Sequence, residues 1–347
     1  FLYSLEKHSC RALRQNGGYR DRQKTDLIFT RTAGSRIFVR GHLPLRGAVA
    51  GSVGDFSICG AVRFSDGLQL LRPPSHSTGA AIAFSFKKIR RLYPLHLIMM
   101  AAALLFVLKG LLAQPSARGV LSCAAQLAVS IFLLQTWIPS SRFWFCLNGV
   151  AWYLSVQAFL YAIFPTLLAV LKKTDARKLR CIAAAIFCVQ CLFSLAVWKA
   201  GLSGKAAFYL TYLCPLFRAG DFTISCCAGC LYHSRKQEST LPRSAFSLLE
   251  LGAVLLAGGC LFIAAKQAGG LGAVAFRYNV LFTPSAVLLV WLLAMGKGFI
   301  SRLLSAKPFL WPAQLSPFGF LIHQVLIRYM EWTADKFSLT VQPVVWT

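Results

Sequence analysis

Acidic residues are what this sequence has least of. Eleven Asp and Glu stand against 37 Lys and Arg in 347 residues, a formal net charge of +26. That imbalance invites a nucleic-acid reading. In the apolar part, however, Lys and Arg sit mainly in short connectors, as loop anchors at an anionic leaflet do, so no nucleic-acid partner is expected. No basic n-region leads into an apolar h-region, so no signal peptide is read. The chain opens on Phe1 rather than Met and reads as a fragment. Cys227-x-x-Cys230 has metal or redox spacing, but no second ligand pair accompanies it, and no metal site is expected. Most of the 12 cysteines, Cys123, Cys181, Cys188, Cys191 and Cys260 among them, lie in apolar runs where thiols behave as small hydrophobes. Internal repeats and low-complexity linkers are absent.

What is present is greasy. The chain is 56% hydrophobic and 13% aromatic, with a mean hydropathy of +0.59. At this length that composition belongs to a bundle of membrane helices rather than a soluble domain. The fold class expected is all-α, a polytopic membrane helical bundle with the lipid bilayer as its partner. Candidate spans cover 95–113, 119–138, 149–171, 180–199, 208–232, 245–265, 279–296 and 309–330, each near the ~20 residues a crossing needs. Pro165, Pro215, Pro284 and Pro317 lie in them, which bundles tolerate where neighbours satisfy the freed carbonyls. The basic connectors 172–180, 233–244 and 296–308 fall at alternate positions and should share the cytoplasmic side. Lys87-Lys88-Ile89-Arg90-Arg91 should lie there too. Three crossings separate it from 172–180, so either an early span is re-entrant or one basic segment breaks the rule.

The segment from Asn148 to Pro165 organises this bundle. It opens on a turn-prone Asn-Gly, passes an aromatic collar at Trp152 and Tyr153, and enters the bilayer as a helix. Gln157 then lies deep in an apolar run, which is costly without a partner. Other polar groups at membrane depth are functional candidates by default. Arg218 and Asp221 are three apart and share a helix face. They form either a structural ion pair or part of a polar cavity for an anionic ligand. His323 is the one His well inside a span, either a satisfied structural group or a base. His96 is expected at the interface, Lys109 snorkelling, and Glu250 snorkelling or paired across helices. Lys88, Arg90 and Arg91 mark topology or clamp an anion.

Residues 1–86 do not fit this pattern, and the domain division expected is 1–86 and 87–347. The first 76 residues carry 12 Lys/Arg and 5 Asp/Glu with no apolar run of membrane length. One reading is a disordered basic arm. The other is an out-of-frame translation. The genetic code permits a shifted frame over Val62–Pro74 to read Ser-Gly-Phe-Leu-Met-Ala-Tyr-Ser-Tyr-Tyr-Asp-Arg-Pro, a plausible entry to a membrane helix.

Four landmarks in order resemble the integral-membrane acyltransferase family 3, the O-acyltransferases of bacterial surface glycans. They are FKKIRRLYPLH (Phe86–His96), LLQTWIP (Leu133–Pro139) with the helix NGVAWYLSVQAFLYAIFP, PLFRAGDF (Pro215–Phe222), and LSPFGFLIHQVLIRY (Leu315–Tyr329). Departures accompany them. Lys88 and Arg91 replace the family's Arg-x-x-Arg, and Gln157 stands where members often carry Glu. Members have ten core spans against eight here. The two missing spans would hold an Arg-x10-His pair and a Ser-Gly-Phe helix. Arg31 and His42 have the first spacing, but Arg36 and Arg40 interrupt the helix it needs. The hidden Ser-Gly-Phe falls where the second span belongs.

The resemblance implies transfer of an acyl group, usually acetyl, from acyl-CoA to a hydroxyl of a cell-envelope glycan at the bacterial cytoplasmic membrane. It implies no metal. Lys88, Arg90 and Arg91 would hold the CoA phosphates. Asn148, Trp152 and Tyr153 would line the cavity, with Arg218 and Asp221 positioning the acceptor. The family's base is a first-span His without a counterpart here, which leaves His323 and an impaired enzyme. A transporter or flippase of envelope precursors is the competing class. It calls for pseudo-symmetric halves with paired broken spans, and none is evident.

Overall fold

The computed structural model describes residues 78–235, 241–266, 271–277 and 280–337, and every regular element among them is helical. Arg31, His42 and residues 1–77 of the basic N-terminal segment lie outside these residues, while 78–86 form the start of the first helix. Helix α1 (Thr78–Ala113) carries Lys87–Arg91 and continues through Pro94. Helix α2 (Ala117–Ile131) starts at Ser116, whose Oγ accepts from the Gly119 amide at 3.1 Å, the usual way an orphan N–H of a first turn is satisfied.

The expected span 119–138 stops at Ile131. An irregular stretch replaces its end, holding only the short α3 (Ser141–Trp144) and a 3-10 turn at Gly149–Ala151 before α4 (Trp152–Leu171). Leu133 and Leu147 sit within this stretch at φ 55° and 56°. A left-handed backbone costs an L residue ~1–2 kcal/mol, so both must be held. Ser155 Oγ donates to the Leu133 carbonyl at 2.6 Å, and the Arg328 guanidinium donates to the Leu147 carbonyl at 2.8 Å.

Helix α5 (Ala176–Lys199) is followed by α6 (Gly204–Phe208) and a π-helical turn at Tyr209–Leu213. The backbone then extends at Cys214, and Pro215, which has no N–H to offer, opens α7 (Pro215–Arg235). The expected span 208–232 is therefore two helices meeting at a break. Helices α8 (Arg243–Lys266), α9 (Leu271–Arg277) and α10 (Thr283–Met295) follow. Gly296 ends α10 in the left-handed conformation, φ 68°, which a glycine adopts without a Cβ penalty. The chain closes with α11 (Phe299–Leu304), a 3-10 turn at Lys307–Phe309 and α12 (Leu310–Lys336).

Among the described residues, four helical segments are long and apolar enough to cross a bilayer: Phe86–Ala113, Gly149–Leu171, Ala176–Lys199 and Arg243–Ala264. Ala117–Ile131 and Thr283–Met295 are apolar but shorter. Large apolar side chains such as Leu105, Val189, Leu192, Leu248 and Leu255 point outward, as the lipid face of such a bundle requires. The main core gathers on α4, through Val156, Leu160, Phe164 and Leu168, against Leu213 and Phe222.

Side-chain contacts fix the directions of the helices. Arg91 meets Phe318, Tyr329 Oη reaches the Ala102 carbonyl, and Lys109 meets Trp332, so α1 and α12 run parallel. Leu147 pairs with Arg328, Asn148 with Leu321, and Tyr153 with Phe320, so α4 runs against α12. Helix α5 opposes α7 through Phe193–Phe217 and Gln190–Asp221. Helix α7 runs with α10 through Asp221–Thr283 and Tyr232–Ala294. The four basic segments thus gather toward one end of the bundle. Helix α2 returns along α1 from the level of Leu111 until Ser130 and Ile131 lie beside His96 and Tyr93. The irregular stretch then dips back, and α4 completes the return.

Candidate active site

The break at Cys214–Pro215 builds the most polar point of the interior. It puts the Tyr212 carbonyl within reach of Arg218, whose Nε donates to it at 2.7 Å. The same guanidinium lies 4.5 Å from the Tyr212 ring centroid and pairs with Asp221 at 3.0 Å. Both charged residues are only 2% exposed. Asp221 accepts further hydrogen bonds from Thr283 Oγ1 at 3.1 Å and Gln190 Nε2 at 3.2 Å. A buried ion pair survives only when its remaining lone pairs are met, and here two further helices, α5 and α10, supply the donors. The approach of Gln190 depends on Gly220, where a Cβ would come within 2.6 Å of Gln190 Nε2.

An aromatic wall continues from this pair. Tyr212 packs on Trp152 at 5.0 Å, Trp152 on Tyr153 at 6.4 Å, Tyr153 on Phe320 at 5.7 Å, and Phe320 on His323 at 5.5 Å. Trp152 and Tyr153 are buried in the bundle rather than forming a collar at the bilayer surface. Their rings find aromatic partners on α7 and α12, which a membrane interface does not offer. Asn148 is likewise buried. Its Nδ2 donates to the Leu321 carbonyl at 3.0 Å, and its Oδ1 caps the 3-10 turn at the Val150 amide. His323 is half-buried, with Nδ1 2.7 Å from the Phe320 carbonyl. Against a carbonyl that nitrogen is the donor, so in the neutral ring the lone pair falls to Nε2.

Arg90 and Arg91 are exposed and Lys88 half-buried. The Arg91 guanidinium lies 5.2 Å from the Phe318 ring centroid, five residues before His323 on α12. Neighbouring side chains link His323, Tyr153, Trp152, Arg218 and Asp221, and Arg91 meets the same helix separately.

His96 is not at an interface. It is completely buried, with Nε2 3.0 Å from the Ser130 carbonyl, because α2 folds back over it. Sequence patterning therefore undercounted the buried histidines. Glu250 is buried rather than snorkelling and, among the described residues, forms no ion pair. Its carboxylate accepts the amides of Gly298, Ile300 and Ser301 at the start of α11. Lys109 is exposed beside Trp332, as a snorkelling side chain is. Several buried polar atoms have no hydrogen-bond partner among the described residues: His96 Nδ1, both amide atoms of Gln135 and of Gln157, and Gln324 Oε1. A buried polar group left without any partner costs ~1–3 kcal/mol.

A family model described as an acyltransferase domain matches residues 71–347. The chain belongs to integral-membrane acyltransferase family 3. It is accordingly an acyltransferase acting on groups other than aminoacyl groups, and a multi-pass membrane protein. No curated protein and no solved structure matches it. The match begins seven residues before α1 at Thr78, so this acyltransferase's described helices all fall within the family region. Sequence reasoning missed Gln190, Tyr212 and Thr283. Gln190 had a usable signal, a lone amide in an apolar helix like Gln157. Thr283 had none, since only the packing of α10 on α7 brings it to Asp221.

Proposed function

We propose that this acyltransferase moves an acyl group, acetyl foremost, from acyl-CoA to a hydroxyl of a cell-envelope polysaccharide or other glycan at the bacterial cytoplasmic membrane. The supporting observation is the continuity of the side-chain set from His323 through the aromatic wall to Arg218 and Asp221, with Arg91 meeting the same helix α12 at Phe318. In this reading Lys88, Arg90 and Arg91 bind the phosphates of CoA, which basic side chains suit by charge and, for Arg, by geometry. Asn148, Trp152 and Tyr153 shape the acceptor side. Arg218 and Asp221 position the acceptor, and the unpartnered amides of Gln135 and Gln157 supply polar contacts to it.

In the chemical step the acceptor oxygen attacks the thioester carbonyl carbon. A base takes the hydroxyl proton, the C–S bond breaks, and CoA leaves as its thiol once the proton is returned to sulfur. His323 serves as the base through Nε2. His96 is closed off from any substrate, whereas His323 is accessible. Turnover by this chain is expected to be slow, because the role that the family gives to a first-span His falls to His323. Membership of an acyltransferase family disfavours the transporter reading.

The test is thiol release from acetyl-CoA by the full chain in lipid nanodiscs, with envelope polysaccharide as acceptor. Slow release that disappears in His323→Ala is expected. Lys88→Gln with Arg91→Gln should raise KM for acetyl-CoA with little change in kcat. Robust turnover that survives His323→Ala removes the base assignment. Transport without thiol release returns the transporter reading.

A further inference from the structure

One cavity lies outside the acyl-transfer set. It sits between the start of α8 and the turn joining α10 to α11 and encloses about 340 Å3, lined by Leu241, Arg243, Phe246, Gly296, Lys297 and Arg302. Three of these six are basic and none is acidic. The volume falls at the small end of the ~300–1,000 Å3 usual for ligand sites.

The fold builds this charge deliberately. Gly296 reverses the chain, which carries Lys297 to 5.2 Å from the Phe246 ring centroid. Arg302 follows on α11, with Nε donating to the Gly298 carbonyl at 3.0 Å, so its guanidinium is held in place. Arg243 enters from α8. Glu250 is the neighbouring carboxylate. It is completely buried, is no part of the lining, and is engaged by three backbone amides of the same turn. The half-open cavity is therefore lined by two arginines and a lysine, with no acidic residue among them. Guanidinium forks and an ammonium point charge are how proteins hold phosphate oxygens.

We propose that this cavity binds a phosphate group, at the end of the bundle where the basic connectors gather. Its carrier is either an anionic phospholipid headgroup or the nucleotide end of CoA. The site is separate from Lys88, Arg90 and Arg91 and does not depend on their role.

The experiment uses the full chain in phosphate-free detergent. One arm titrates adenosine 3′,5′-bisphosphate by calorimetry. The other counts phosphatidylglycerol against phosphatidylcholine retained in native mass spectrometry. Arg243→Gln with Arg302→Gln should weaken one probe by about tenfold or more, the loss of at least one charge-assisted hydrogen bond. Lys297→Arg should retain binding. Arg243 is exposed, so Arg243→Gln alone serves if the double variant misfolds. Loss of bisphosphate binding assigns the site to the nucleotide, and loss of phosphatidylglycerol enrichment assigns it to lipid. No binding of either probe, or binding indifferent to these substitutions, overturns the proposal.

Discussion

Arg218 and Asp221 show what a buried charge demands of its neighbours. Arg218 spends its guanidinium on a carbonyl, a carboxylate and a ring, while Asp221 draws on Thr283 and Gln190 as well. Breaking such a pair from one side strands the other charge, at ~3–5 kcal/mol. Arg218→Met and Asp221→Leu singly are therefore expected to lower the unfolding midpoint in detergent sharply, and the double variant should recover much of the loss. Its activity then decides between the two roles left open for the pair. A stable, inactive double variant supports substrate positioning, whereas a stable, active one makes the pair structural. Gln157 poses the converse case. Its amide has no hydrogen-bond partner among the described residues, so Gln157→Leu is expected to raise the unfolding midpoint, recovering ~1–3 kcal/mol. The same substitution should depress turnover if that amide contacts the acceptor. Residue chemistry was legible at these positions, because a polar side chain in an apolar run announces itself. The opposite happened at His96. Sitting beside five residues of basic cluster, it looked interfacial, and only the return of α2 over it accounts for its burial.

At the scale of elements, hydrophobic runs marked the helices well and their interruptions poorly. Apolar composition locates α1, α4, α5 and α8, since a crossing helix needs little else. It is blind to the break at Cys214, which depends on a π turn meeting Pro215, and to the irregular stretch after Ile131. Both irregularities carry site residues, as strained backbone at functional sites tends to do. Short elements also rest on single side chains. Helix α11 has six residues, and its first amides bond to Glu250. Glu250→Ala leaves those amides unmet in a buried place. The expected result is faster hydrogen–deuterium exchange across 296–304, with the exchange of α4 unchanged. Gly220 gives a second element-level test. Gly220→Ala must displace Gln190 or part α7 from α5, a strain of ~1–3 kcal/mol. A lowered unfolding midpoint, rescued by trimming Gln190 to Ala, is expected.

At the scale of the whole molecule, the helix directions bring the basic segments toward one end of the bundle, where the bare sequence set charge and crossing number at odds. Counting 119–138 as a full crossing put Lys87–Arg91 opposite the connector 172–180. In the structure α2 ends beside Tyr93 and His96, and α4 restarts from the level of Gln324 on α12. We propose that α2 and α4 share one return, which leaves an even number of crossings between the two basic segments. Every basic connector then falls on one side, as the positive-inside rule asks. This makes a direct expectation for cysteine labelling in intact cells, on a background with the native cysteines replaced. Lys87→Cys, Thr174→Cys and Lys297→Cys should react with a membrane-impermeant maleimide only after the inner leaflet is exposed. Gln114→Cys and Gly201→Cys, at the far ends of α1 and α5, should react from outside. Labelling of Lys87→Cys from the outside would mean that α2 crosses fully. In that case the irregular stretch with Leu133 and Leu147 would sit at a membrane surface rather than at bilayer depth, and the continuity that carries the catalytic proposal would be lost.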